Sequence, residues 1–188
     1  DVYKRQIMTL PLLATGIILD VVFQKSGHLS PVYSMLYLSF YVVQVIFVLY
    51  AFYRFKAYLN EEVQFHKTDT LILILIAGMI VISTIGLTGR IVTWAGAPES
   101  VQGMFIAGLF TVGLPLGILT VVFGIMLLDL KDTVSRLFRP YAWLNIVGGI
   151  CFATFILAPF GMLIAAVGDV LLGLILLGKG PMVEPEFV

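Results

Sequence analysis

Six apolar stretches occupy most of the chain, at Ile7–Phe23, Val32–Phe55, Leu71–Thr93, Met104–Asp129, Ala142–Ala158 and Gly161–Leu177. A helix needs about 20 mainly apolar residues to cross about 30 Å of hydrocarbon. The second, third and fourth stretches reach that length; the first, fifth and sixth lie near its lower limit. Backbone groups in hydrocarbon have no water to pair with, which leaves helices or a closed barrel. Runs such as Leu71-Ile-Leu-Ile-Leu-Ile-Ala-Gly-Met-Ile-Val-Ile82 lack the strict alternation of barrel strands. The expected fold is therefore all-α: a polytopic transmembrane helix bundle of about six helices over residues 7–178.

Composition excludes other classes. The chain is 60% hydrophobic and 12% charged, against about 25% charged residues in an ordinary soluble domain. Its formal net charge of zero leaves no basic footprint for nucleic acid. The partner it implies is the lipid bilayer. The single cysteine, Cys151, has no intrachain disulfide partner and fits a small buried hydrophobe.

Asp1-Val-Tyr-Lys-Arg-Gln6 reads as the in-frame translation of an adapter used in DNA library preparation. These residues are left out of fold reasoning. The expectation is that the natural N-terminus is missing and the first helix is cut short. At the other end, residues 179–188 contain two prolines and read as a floppy tail.

Charge placement predicts orientation. Outside the first six residues, seven of the nine Lys and Arg fall in alternate connections: Arg54, Lys56, Lys67, Lys131, Arg136, Arg139 and Lys179. The other two are Lys25 and Arg90. Short basic loops stay cytoplasmic. The expected topology is N-in/C-in, multi-pass, in the cytoplasmic (inner) membrane, with residues 179–188 as a cytoplasmic tail. Tyr53, Tyr58, Trp94, Tyr141 and Trp143 fall near span ends, where amphipathic rings favour the interface.

Small residues recur at four-residue spacing: Gly113 and Gly117, Gly149 and Ala153, Gly161 and Ala165. Such spacing lets helix backbones approach closely. It serves packing within one bundle or a homo-oligomer through these faces, and the first is favoured. Pro115 is expected to kink the fourth helix, and Ala158-Pro-Phe-Gly161 to form a tight turn. The segments Pro115–Leu130 and Pro159–Leu174 share Pro, two Gly and four Leu in register. They read as a faint parallel echo.

Polar residues inside the spans carry the functional expectations. Charged groups in hydrocarbon are costly and face the bundle interior or a water-filled cavity. Asp169 is the clearest case, and Asp20 lies near the outer end of the first span. Tyr33, Tyr37, Tyr41 and Gln44 make one stripe on the second helix. At about 1.5 Å of rise per residue, Tyr37, Tyr41, Thr84, Thr111 and Asp169 reach similar depths below the outer face. The candidate site is an outward-opening polar pocket of Asp169, Arg90, Asp20, Tyr37, Tyr41, Thr84 and Thr111. Asp169 is expected to face inward and to pair with Tyr37, Tyr41 or Arg90. The competing account is a set of structural interhelical hydrogen bonds.

No GxSxG, HExxH, phosphate-loop or paired-cysteine motif occurs, so no catalytic residue, metal or cofactor is expected. Glu62 and His66 lie one helical turn apart without further ligands nearby. Gly168-Asp-Val-Leu-Leu172 resembles the Gly-Asp-aliphatic-Leu segment of the lysoplasmalogenase-like membrane enzymes. The chain lacks that family's second aspartate segment. Phe110–Gly180 is similar to bacterial multi-helix membrane proteins of a domain-of-unknown-function family, through Arg139-Pro140, Gly148-Gly149 and Leu176-Leu-Gly-Lys-Gly180. That resemblance implies a bacterial cytoplasmic membrane and no activity. The leading functional expectation is a non-enzymatic structural or small-ligand-binding bundle. A small solute or ion transporter is the first alternative, and a lipid-acting intramembrane hydrolase using Asp169 the second.

Overall fold

A computed structural model describes residues 31–130, 137–154 and 157–176. They form five helices: α1 Pro31–Glu61, α2 Asp69–Trp94, α3 Glu99–Leu128, α4 Phe138–Thr154 and α5 Ala158–Leu176. No strand occurs among the described residues. The expected first helix lies outside them, as do Asp20, Lys25, Lys131, Arg136 and the tail. Within α1, α2 and α3, segments of 27, 26 and 30 residues are long and apolar enough to cross a membrane. α4 and α5, at 17 and 19 residues, extend only about 25–28 Å.

Large apolar side chains cover the outside of the bundle. Met35, Ile46, Leu73, Met104, Ile118 and Leu163 are all exposed. In water so much apolar surface would drive aggregation; against acyl chains it costs nothing. The chain is a helical protein of the membrane.

All five helices start before their expected stretches, and α1 and α2 also end beyond them. α1 continues six residues past Phe55, leaving a short connection closed by a left-handed Gln64 at φ 54°. The Phe65 N–H donates back to the Leu59 carbonyl across 2.8 Å. α2 and α3 are separated only by residues 95–98, where Gly96 supplies a φ of 74° and Pro98 precedes the first turn of α3. Glycine after a helix end and proline at a helix start suit their backbone preferences. The expected turn at Ala158–Gly161 is corrected: these residues open α5, and the Gly161 N–H donates to the Leu157 carbonyl at 2.9 Å. Pro159 is accommodated because first-turn N–H groups have no helical acceptor. α3 runs as one helix through Pro115.

Neighbours in chain order pack together and α5 returns to α1, so the five helices form a ring. The most intimate seam joins α3 to α4. A Cβ on Gly117 would lie 2.8 Å from the Gly149 carbonyl oxygen and the Ala153 nitrogen; one on Gly149 would lie 2.6 Å from the Gly117 oxygen. One on Gly124 would lie 2.6 Å from the Ala142 oxygen. Gly113 is buried as well. The small-residue stripes at Gly113, Gly117, Gly149 and Ala153 thus serve contacts within the chain. α5 lies on another side of α4, with Gly161 against Cys151 and Gly168 near Tyr141. The two echoing segments therefore pack as parallel helices against the same partner, each through its glycines. Cys151 is buried.

The core sits at one end. Phe55, Leu59, Ile72, Leu75, Phe123, Leu127, Phe138, Leu172 and Ile175 are essentially inaccessible there. Phe55 is its hub, with ring centroids 6.3 Å from Phe123, 6.0 Å from Phe138 and 5.5 Å from Tyr141. This is the basic end, carrying Arg54, Lys56, Lys67 and Arg139. Polar ties lock its connections. Asn60 Nδ2 donates to Asp69 Oδ2 at 3.0 Å, Lys56 Nζ lies 3.8 Å from Asp69 Oδ1, and Lys67 Nζ lies 3.7 Å from Asp129 Oδ2.

Candidate functional site

One face of α1 changes chemistry along its length. Tyr37, Tyr41, Gln44, Val48, Phe52, Phe55 and Leu59 follow one another at intervals of three and four, so they share a stripe. At the basic end that stripe enters the core through Phe52, Phe55 and Leu59. Towards the opposite end it lines a cavity of about 390 Å³ between the helices. Tyr37, Tyr41 and Gln44 supply its polar wall on α1, Arg90 on α2, Thr120 on α3, Tyr141 and Asn145 on α4, and Asp169 on α5. Phe52, Met79, Leu144, Phe152 and Ile164 belong to its apolar lining.

Each polar group is placed by its helix. Tyr37 is 6% exposed; its ring meets Trp94 edge-on at 5.9 Å and lies under the Arg90 guanidinium, 4.7 Å from the centroid. A cation over a tyrosine face is attracted by the ring quadrupole, so Arg90 and Tyr37 join α1 to α2 near the far end. The Tyr41 hydroxyl donates a long bond of 3.4 Å to the Ser83 carbonyl. Asn145 Nδ2 donates to the Tyr141 carbonyl at 2.8 Å. That leaves the amide oxygen of Asn145 as an acceptor and its second N–H as a donor. Thr120 bonds back to the Leu116 carbonyl at 2.8 Å.

Asp169 lies eleven residues into α5, half-buried on the cavity wall. It acts electrostatically on Tyr141, whose side chain is buried beside it. Among the described residues its carboxylate has no hydrogen-bond or ion-pair partner, and no ion pair joins it to Arg90.

The expected site residues divide. Asp169, Arg90, Tyr37 and Tyr41 line one cavity. Thr84 and Thr111 do not. Both are exposed on the outer surface, and their hydroxyls bond back to Ile80 and Ala107 carbonyls at 2.8 and 2.9 Å. The difference is one of rotation about the helix axes. At about 100° per residue, Thr84 lies about 120° around α2 from Arg90, and Thr111 about 180° around α3 from Thr120. Asp20 lies outside the described residues.

Sequence reasoning also missed two groups. Tyr141 does not face outward: it is 3% exposed against Phe55, unlike Tyr53 and Trp143, which do. Asn145 was overlooked. The signal was present: Tyr141, Asn145, Gly148 and Phe152 fall at intervals of four, three and four, one stripe on α4. His66 Nδ1 lies 3.8 Å from Asp69 Oδ2. No group of three or more His, Cys, Asp or Glu converges among the described residues.

Comparisons with known protein families, curated proteins and solved structures give no match to this chain.

Proposed function

We propose that this chain is a small-ligand-binding membrane protein, multi-pass in a bacterial cytoplasmic membrane, with its basic end in the cytoplasm. The observation that carries the reading is the cavity of about 390 Å³ with polar groups from all five helices set in an apolar lining. Ligand sites characteristically combine an apolar wall with a few converging polar groups. Packing alone would not need them: a purely structural bundle loses dispersion contacts at a void. The basic-end orientation follows from the Lys and Arg asymmetry.

The transporter alternative requires a polar path through the bundle. The aromatic and aliphatic core from Phe55 to Ile175 closes the cavity at the basic end in this conformation. A hydrolase would need a second carboxylate, and Asp169 is the only carboxylate lining the cavity among the described residues.

The test uses the full chain purified in detergent. Three compounds share one apolar body: 3-phenylpropylamine, 3-phenylpropanol and 3-phenylpropanoate. At least one should raise the melting temperature in a saturable way, and Ala165→Trp, which fills the cavity from its exposed rim, should abolish the shift. No saturable shift from any compound, or an undiminished shift in the variant, would overturn the reading.

A further inference from the structure

We propose that the cavity's ligand is an organic cation, an ammonium group on an apolar body, seated with its charge at Asp169. This inference rests on the ligand-binding reading above and specifies its chemistry. Its basis is the arrangement of charge and hydrogen-bonding capacity along the cavity. The carboxylate lies well inside the bundle, has no hydrogen-bond or ion-pair partner among the described residues and faces the cavity. An anion held away from water is costly unless paired. Among the described residues, no Lys or Arg is paired with it. On α4 the cavity's polar side chains are Tyr141 and Asn145, both neutral; one Asn145 N–H is committed to the Tyr141 carbonyl.

The inner part of the cavity holds one formal negative charge, on the Asp169 carboxylate, and further acceptors in the amide oxygens of Asn145 and, on α1, Gln44. An alkylammonium brings up to three N–H donors and one positive charge. Carboxylate and ammonium then each replace lost hydration with a charge-assisted hydrogen bond. Tyrosine and phenylalanine rings, from Tyr41 on α1 and Phe152 on α4, offer negative faces to the same charge. Val48, Leu144 and Ile164 offer surface for its apolar body.

Arg90 is the one basic residue in the lining among the described residues, and its position favours this polarity. It lies four residues from the end of α2, Asp169 eleven from the start of α5. At about 1.5 Å per residue the two are separated by about 10 Å of depth. The guanidinium is held over Tyr37, at the end of the cavity away from the core. A ligand cation can thus occupy the inner acceptor cluster without meeting it.

The same three compounds separate this inference from the reading beneath it. In the wild-type chain, isothermal titration should give tight binding for 3-phenylpropylamine and at least about thirtyfold weaker binding for the alcohol and the carboxylate. Asp169→Asn should weaken the amine by a similar factor without affecting the alcohol, and Asp169→Glu should restore part of the loss. If the alcohol or carboxylate binds as well as the amine, the cation assignment is wrong although the cavity still binds ligands. If none of the three binds, both readings fall. The comparison of amine with alcohol needs no variant, so a misfolded Asp169→Asn would not shield the proposal.

Discussion

The two halves of this bundle use the same five helices to opposite ends. At the basic end α1 presents Phe52, Phe55 and Leu59, and the facing helices answer with Phe123, Phe138, Leu172 and Ile175 in a closed core. More than halfway back along α1, the same stripe presents Gln44, Tyr41 and Tyr37 to a cavity. The change follows from side-chain chemistry on an unbroken helix, not from a change of fold. In a bilayer, apolar burial gives little preference for helix over lipid, so packing and hydrogen bonds hold helices together. Close glycine seams and an aromatic hub supply that packing at one end. The other end is left free to hold polar groups around a space.

If that division is right, substitutions should sort by region. The largest effect is expected in the α3–α4 seam. Gly149→Leu places atoms into the Gly117 backbone, where even a Cβ would be 2.6 Å from an oxygen. Backbone on a packed helix yields less readily than a side chain, and overpacking costs up to about 3 kcal/mol or more. The variant should lose its cooperative thermal transition in detergent; near-normal melting would mean the seam is not as close as described. Next comes the hub. Phe55→Ala should destabilise by about 3 kcal/mol, read by denaturant unfolding in mixed micelles.

In the cavity half the expectation reverses. Gln44→Leu should change stability by less than about 1 kcal/mol, because its side chain lines a space instead of filling a core. It should still weaken the amine, read in the same titration. A stability loss comparable with Phe55→Ala would break the comparison. The smallest effects are expected at Thr84→Ala and Thr111→Ala, within about 0.5 kcal/mol and with ligand binding unchanged. Their hydroxyls bond only to carbonyls of their own helices and face outward. A binding defect at either position would return it to the site.

How much of this was legible beforehand depends on whether the information is local. The apolar stretches predicted the helices and the membrane, because hydrocarbon leaves a continuous apolar segment few alternatives. The Tyr37, Tyr41 and Gln44 stripe was legible because spacing along one helix defines a face without reference to any other helix. Asp169 stood out because a carboxylate in such a segment needs a reason. Boundaries were less legible: polar residues such as Arg54 and Lys56 read as loop, yet α1 carries them to Glu61. Pro159 read as a turn and instead opens α5.

What the amino-acid order determined by itself was therefore length, solvent and depth: which segments are helical, what surrounds them and how far along each axis a residue lies. Rotation was left to the tertiary structure. These helices are apolar on nearly every side, so no amphipathic contrast tells an inward face from a lipid-facing one. Thr84 and Tyr41 can share a depth while only Tyr41 reaches the cavity. The seam of Gly117, Gly124 and Gly149 brings α4 against α3. α4's stripe from Tyr141 to Phe152 then lines the cavity. Only that packing decided that Tyr141 and Asn145 would stand beside Asp169, because it depends on which helix backbones can approach closely, a property of pairs of segments and not of any one of them.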